Sequence, residues 1–171
     1  ASETGTTTDG SVDAGMGVAI SIVQVTTTQT IANVDPSITF NTAPKAGNAI
    51  IVAMTCFSDI DNCTVPPGGV TDNQNNTYLR VVEGDTIISQ PTHGARGYIF
   101  IAESIGAANG NFTVTVNPNG NPMMNYQTFA WGLIEVAGLA TTSTVDRIGA
   151  TTNTCCNTST SVATSQPTTL A

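Results

Sequence analysis

The stretch from Val70 to Val82, VTDNQNNTYLRVV, decides how this chain folds. It places one carboxylate, Asp72, and four amide side chains, Asn73 to Asn76, between two runs of strand-forming residues. Such an oxygen-rich cluster either holds a cation or turns the chain sharply. A calcium loop needs several converging carboxylates, and this stretch supplies only Asp72. The nearby segment 58–62 adds Asp59 and Asp61, but strand parity sends it to the opposite end of a sandwich. The turn reading is better supported. Asn tolerates left-handed backbone, so Asn75 and Asn76 are expected to close a β-hairpin, with Asp72 and the amide side chains bonding nearby backbone N–H groups. No metal ligand set and no cofactor are expected.

Strand patterns surround this turn on both sides. Strands are expected at 18–25, 37–40, 49–57, 78–82, 98–103, 112–116 and 128–138, and more weakly at 147–152 and 158–164. Phe112, Val114 and Val116 alternate with polar residues, the period of a half-buried antiparallel strand. AIIVAM (49–54) and TFAWGLIEV (128–136) are continuously apolar, as central strands are. Clusters of Gly, Pro and Asn separate the runs: NTAPKAGN (41–48), TVPPGG (64–69) and NPNGNP (117–122). No segment shows a 3.6-residue period. Short strands punctuated by turn residues predict an all-β fold, an antiparallel β-sandwich of jelly-roll or immunoglobulin-like type. Its core is expected from Ile50, Val52, Ile99, Ile101, Val114, Trp131, Leu133 and Val136. Residues 1–17 form a polar lead-in, flexible or strand-donating, and residues 18–171 a single domain.

Composition narrows the function. The 171 residues suffice for one buried core, and 40% are hydrophobic. Only 9% are charged, against roughly 25% in an ordinary domain. Four basic residues and a net charge of −8 exclude a nucleic-acid partner, because phosphate neutralisation needs cations. The apolar segment GMGVAISIVQV (15–25) falls short of the ~20 residues of a membrane helix, and no membrane insertion is expected. No basic region precedes it, so it is not an intact signal peptide, and the chain reads as already processed. A surface of hydroxyls and amides suggests an extracellular or cell-surface protein. With so few carboxylates, folding should be insensitive to acid.

Cys56, Cys63, Cys155 and Cys156 are expected to form disulfides. Four thiols in the core or a zinc site are the alternatives, but the spacings of seven and one do not match paired C-x₂-C motifs. Strand reversals place loops 57–67 and 153–157 at one end, so the bridges either link the loops or close each locally. The adjacent pair makes a strained ring, which favours cross-linking. Asn62, Asn75, Asn111 and Asn157 each begin an N-x-S/T sequon and are candidate glycosylation sites.

No catalytic constellation emerges, and an enzyme is not expected. His93, the single histidine, lacks a G-x-S-x-G nucleophile elbow and reads as a loop residue. Glu83, Asp85 and Glu103 would have to face each other across a groove to act as a glycosidase pair. Lys45, the single lysine, lies in a polar turn, a poor position for an isopeptide crosslink that needs a buried amine. Trp131 sits in the most apolar strand and reads as core. A row of exposed Tyr78, Tyr98 and Tyr126 would suit glycan stacking.

VTDNQNNTYLRV resembles the VTDxxGNTYxxV hairpin of a β-sandwich domain found in large secreted and surface proteins of bacteria. PSITFNTAPKAGNAIIVAM (36–54) looks like that domain's strand, Pro/Gly turn and buried strand. LIEVAGLATTSTVDRIGATT (133–152) is similar to its xxEYSGLxTTxPxDxxA segment. The resemblance implies a jelly-roll or immunoglobulin-like sandwich with a structural, adhesive or spacer role, and supplies no catalytic residues. Family members usually continue past the segment matching SQPTTLA, which implies a sheet lacking one edge strand here. An uncharged edge recruits further strands. The expected function is therefore an extracellular structural protein that assembles with copies of itself by strand donation or edge pairing. Ile20, Ile22 and Val25 are the candidate donated side chains, and pairing of that strand within its own sheet is the competing reading. A secreted carbohydrate-binding or adhesive module, calcium-assisted and with glycans as partners, is the alternative.

Overall fold

The computed structural model describes residues 19–32, 35–58, 64–87, 94–118 and 127–139, and every structural statement below concerns these. They form eight strands and no helix: β1 (Ser21–Ala32), β2 (Ser37–Thr39), β3 (Ala49–Ser58), β4 (Val70–Asp72), β5 (Leu79–Ile87), β6 (Gly94–Ala102), β7 (Thr113–Val116) and β8 (Gln127–Ala137). The weaker strand candidates at 147–152 and 158–164 lie outside the described residues.

All pairings are antiparallel. Five strands form one sheet in the order β1-β8-β3-β6-β5, and three form another in the order β2-β7-β4. This is the all-β, two-sheet architecture expected of a β-sandwich. The continuously apolar strands β3 and β8 are indeed flanked on both sides, β3 by β6 and β8, β8 by β1 and β3. β1 runs well past the predicted end at residue 25. Its TTTQTIA half keeps a β-branched residue at most positions and so continues the ladder along β8.

One hydrophobic cluster draws on both sheets. β3 contributes Ile50, Val52, Met54 and Cys56, β6 contributes Tyr98 and Phe100, and β8 contributes Phe129, Trp131 and Leu133. They meet Ile38, Phe40, Val70, Val114 and Val116 of the smaller sheet and its flanks. Each such side chain contributes about 1.5–3 kcal/mol on burial. Five of the eight expected core residues, Ile50, Val52, Val114, Trp131 and Leu133, belong to this cluster. Ile99, Ile101 and Val136 do not. Ile101 and Val136 are buried on the other face of the five-stranded sheet, where Ile101 opposes Ile51, and Ile99 is half-buried. Where every residue of a strand is apolar, as in YIFIA, the sequence has no alternation to reveal its inner face.

The expected hairpin is also corrected. β4 pairs with β7 in the small sheet and β5 pairs with β6 in the large one, so the two strands flanking NQNNTY belong to different sheets. The stretch is a crossover between layers. The three-residue β4 points Val70 and Asp72 inward, and the chain then leaves its sheet instead of folding back along it. Within TVPPGG, a Cβ on Gly69 would lie 2.8 Å from Pro66 Cδ and 2.9 Å from the Asn117 carbonyl oxygen, so only glycine fits there without a shift.

Candidate functional site

Among the described residues β1 is an edge strand, with β8 as its sole neighbour in the sheet. Its twelve residues contain no charged side chain and no proline. Edges of soluble sheets are ordinarily guarded by Lys, Pro or a covering element. Here the one irregularity is a bulge between Ile22 and Gln24. The polarity of the strand is inverted. Gln24, Thr26 and Thr28 pair with Glu135, Leu133 and Trp131 and so share their core-facing side. Ile20, Ile22, Val23 and Val25 are 68%, 67%, 49% and 51% exposed. The candidate donor side chains therefore stand outward, while in this chain β1 itself pairs with its own β8 from Ser21↔Ala137 to Ala32↔Gln127.

What fastens the first half of β1 is polar. Glu135 is 1% exposed and accepts from Gln24 Nε2 at 2.7 Å, the Lys45 backbone N–H at 2.9 Å and Asn48 Nδ2 at 2.6 Å. Gln24 also donates to the Thr42 carbonyl at 3.0 Å and accepts from Thr42 Oγ1 at 2.8 Å. One buried carboxylate thus ties β1 and the APKAGN turn to β8. Glu135 is the Glu of LIEVAGL (133–139). A lone Glu within an otherwise apolar strand was the signal that sequence reading passed over. Lys45 contributes its backbone, and its side chain is exposed, which removes the geometry an isopeptide bond needs.

The VTDNQNNTY crossover is organised by Asp72. Its Oδ1 accepts from the Gln74 and Asn76 backbone N–H groups at 2.9 and 3.1 Å, and its Oδ2 from Asn76 Nδ2 and Tyr78 OH, both at 2.9 Å. These four donors use the lone pairs a cation would need. The backbone bonding expected of Asp72 is present, and the left-handed residue is Asn75, with φ 63°. The loop is held from its other side by Asn73, which donates to the Asn111 carbonyl at 2.7 Å and accepts from the Thr113 N–H at 3.1 Å.

Tyr78 is buried against this carboxylate. Burial, chiefly, pushes its phenol far above the ordinary value, and the neighbouring Asp72 charge and the hydrogen bond add to the shift. The folded protein keeps that proton, whereas the unfolded chain loses it near pH 10. Above that pH the unfolded state binds fewer protons, so stability falls as pH rises. Tyr78 alone should contribute a loss of up to about 1.4 kcal/mol per pH unit there. Tyr78→Phe is expected to cost about 1 kcal/mol at neutral pH and to remove that alkaline slope. Urea midpoints compared from pH 8 to 11 check this, and parallel curves for the two proteins would refute it.

The remaining candidates scatter. Tyr98 is buried, with its hydroxyl accepting from the Val65 N–H at 3.2 Å. With Tyr78 also buried, the expected row of exposed tyrosines does not exist, and Tyr126 lies outside the described residues. Trp131 is core, and its Nε1 has no hydrogen-bond partner among the described residues. Glu83 sits between Arg80 at 3.0 Å and Arg96 at 3.5 Å, an ion-paired cluster and not half of a carboxylate pair. Those arginines also hold the 64–65 segment, through the Val65 carbonyl and Thr64 Oγ1. Glu103 lines a cavity of about 240 Å³ with Thr77, Leu79 and Ile101, away from Glu83 in the register of β5 and β6. The side chain of Asp85 is not among those described. Cys56 is fully buried and is not a free thiol. Cys63, Cys155, Cys156, His93, Asp59, Asp61, Asn62 and Asn157 lie outside the described residues. Asn75 and Asn111 are both exposed, on the two loops that Asn73 joins. No group of metal-ligating side chains occurs among the described residues. No family model, curated protein or solved structure matches this chain.

Proposed function

We propose that this protein is an extracellular structural subunit that assembles with copies of itself, into a filament or surface array, through the β1 edge. The observation that carries this reading is a twelve-residue strand without a charge or a proline that, among the described residues, lies at a sheet edge with no covering strand. Its outward row of N–H and C=O groups meets a further strand without desolvating any charged side chain. Two routes use the same edge. A neighbour's strand adds alongside β1, or a neighbour's β1 takes the place of this one against β8 in the same register. Donor and acceptor surfaces differ in the second route, so the contact is head-to-tail and propagates. Disulfides among Cys56, Cys63, Cys155 and Cys156, and glycans on Asn62, Asn75, Asn111 and Asn157, fit a subunit that functions outside the cell.

The test is an edge guard. Thr26 and Thr28 lie on the inner side of β1 and are half-buried, so lysines there extend their stems to the open edge and place charges on it. The full chain should form large polymers by sedimentation and electron microscopy. Thr26→Lys/Thr28→Lys should cut the polymer at least about tenfold, equivalent to roughly 1.4 kcal/mol per contact, while its β-type dichroism and cooperative unfolding persist. Wild-type chain that stays monomeric at all concentrations, or polymer indifferent to the lysines, would overturn the proposal.

A further inference from the structure

Asparagine is a thermolabile side chain as well as a polar one. The main-chain nitrogen of the next residue attacks its carboxamide carbon when three conditions hold. The carboxamide is free to turn, the nitrogen is not committed to a hydrogen bond, and the next side chain is small. The described asparagines meet these conditions unequally. Asn48 gives its amide to Glu135 at 2.6 Å. Asn73 is bonded at both ends of its carboxamide, to the Asn111 carbonyl and the Thr113 N–H, and Asn76 likewise, to Asp72 and the Gly106 N–H. After Asn75 the next nitrogen, that of Asn76, donates to Asp72 Oδ1 at 3.1 Å. Asn117 precedes Pro118, which has no N–H. Asn111 precedes the fully buried Phe112, and Asn41 the β-branched Thr42. Asn109 meets all three conditions. It is exposed, in the connection from β6 to β7, and Gly110 follows it. Among the described residues neither its carboxamide nor the Gly110 N–H has a hydrogen-bond partner. Gly110 has φ +81°, with nothing within 4 Å of a Cβ built on it, so its nitrogen is unshielded. The Asn109 backbone is held only by Gln74, its N–H to Oε1 at 3.4 Å and its carbonyl from Nε2 at 3.5 Å, both beyond the usual range of hydrogen-bond lengths.

We propose that Asn109 is a site of self-modification in the folded protein, by deamidation through a cyclic imide. The Gly110 nitrogen forms a bond to Asn109 Cγ, the Cγ–Nδ2 bond breaks, and ammonia leaves with the proton that Gly110 gives up. Water, the one co-reactant, then opens the five-membered ring. Attack at Cγ restores the ordinary main chain, with an aspartate at position 109. Attack at the other carbonyl leaves an isoaspartyl link, in which the main chain runs through Cβ and Cγ. Either product adds one negative charge to a chain of net charge −8. The isoaspartyl product also lengthens the main chain by one carbon and turns the carbonyl that accepts from Gln74 into a carboxylate. The neighbouring tie from Asn73 to Asn111 and Thr113 does not involve the reacting atoms, so the fold should survive the change. The modification rests on this loop alone and is independent of the β1 edge.

The test incubates the full chain in mildly alkaline buffer, folded and in urea, and follows each asparagine by peptide mapping with mass spectrometry and isoaspartyl methyltransferase labelling. In urea the sequence alone sets the rates. In the folded protein Asn109 should convert within about tenfold of its rate in urea, while Asn73, Asn75 and Asn76 fall further behind theirs. The other Asn-Gly pair, Asn119-Gly120, lies outside the described residues and is read separately in the same map. Gly110→Ala should slow the folded-state conversion at least about tenfold. Alanine at φ +81° is strained, so its dichroism and unfolding midpoint are measured alongside. Should that variant fail to fold, the comparison of folded and urea-unfolded wild-type chain decides alone. Asn109 that stays intact in the folded chain, or converts no faster than Asn75, overturns the proposal. So does a folded Gly110→Ala protein that converts at the wild-type rate.

Discussion

Glu135→Ala is expected to lower the unfolding free energy by about 3–5 kcal/mol, a large part of the ~5–15 kcal/mol that stabilises a typical domain. The carboxylate is 1% exposed and accepts three hydrogen bonds, from Gln24, the Lys45 backbone and Asn48. Alanine removes the acceptor and leaves the donors behind. Gln24 keeps the Thr42 carbonyl, but the Lys45 N–H and the Asn48 amide lose the partner they have here. A buried donor left unpaired costs about 1–3 kcal/mol. Glu135→Gln is the informative companion. Its carbonyl oxygen still accepts from Lys45 and Asn48, but its NH₂ then faces the NH₂ of Gln24. The Gln24 amide has to turn over, giving up its bond to the Thr42 carbonyl, at a cost of about 1–2 kcal/mol. Urea unfolding of the three proteins provides the ranking, and hydrogen exchange should show the amides of β1 opening first in the alanine variant. An alanine cost below about 1 kcal/mol would mean that β1 is held by its ladder alone.

Asp72→Ala should cost about 2–4 kcal/mol. The side chain accepts four hydrogen bonds within its own crossover, and its removal strands the buried Tyr78 hydroxyl. Because β4 and β5 belong to different sheets, the loss loosens the link between layers and not a hairpin tip. Asp72→Asn is not a neutral replacement. An amide donor at the Oδ2 position opposes the Asn76 Nδ2, while Asn76 Oδ1 is already engaged with the Gly106 N–H at 3.2 Å. About 1–2 kcal/mol is expected for it, and calorimetric midpoints of both variants against wild type test the order. An alanine variant as stable as the asparagine one would contradict the directional network.

The two variants mark different depths of legibility. Asp72 was visible as the acceptor of a turn because its donors lie two, four and six residues away, within the reach of local pattern. Glu135 was not, because its donors lie 87 to 111 residues away. The β1 edge was half legible. Its apolar residues were recognised as unusual, yet their outward direction depends on a bulge at Val23 and on β8 being the neighbour.

By itself the sequence determined that the described residues are all-β, and where four of their eight strands, β2, β3, β7 and β8, begin and end. Period-two alternation, β-branched runs and Gly/Pro/Asn clusters act within a few residues of each other, so no tertiary information is needed to read them. Tertiary structure alone decided that VTD and YLRVV part into separate sheets, that Ile101 and Val136 turn away from the core that holds Phe100 and Leu133, and that an uncharged strand lies at an edge. Those outcomes depend on which strand lies beside which. A strand's faces become distinguishable only when a neighbour covers one of them, and that neighbour is chosen by contacts between residues far apart in the chain.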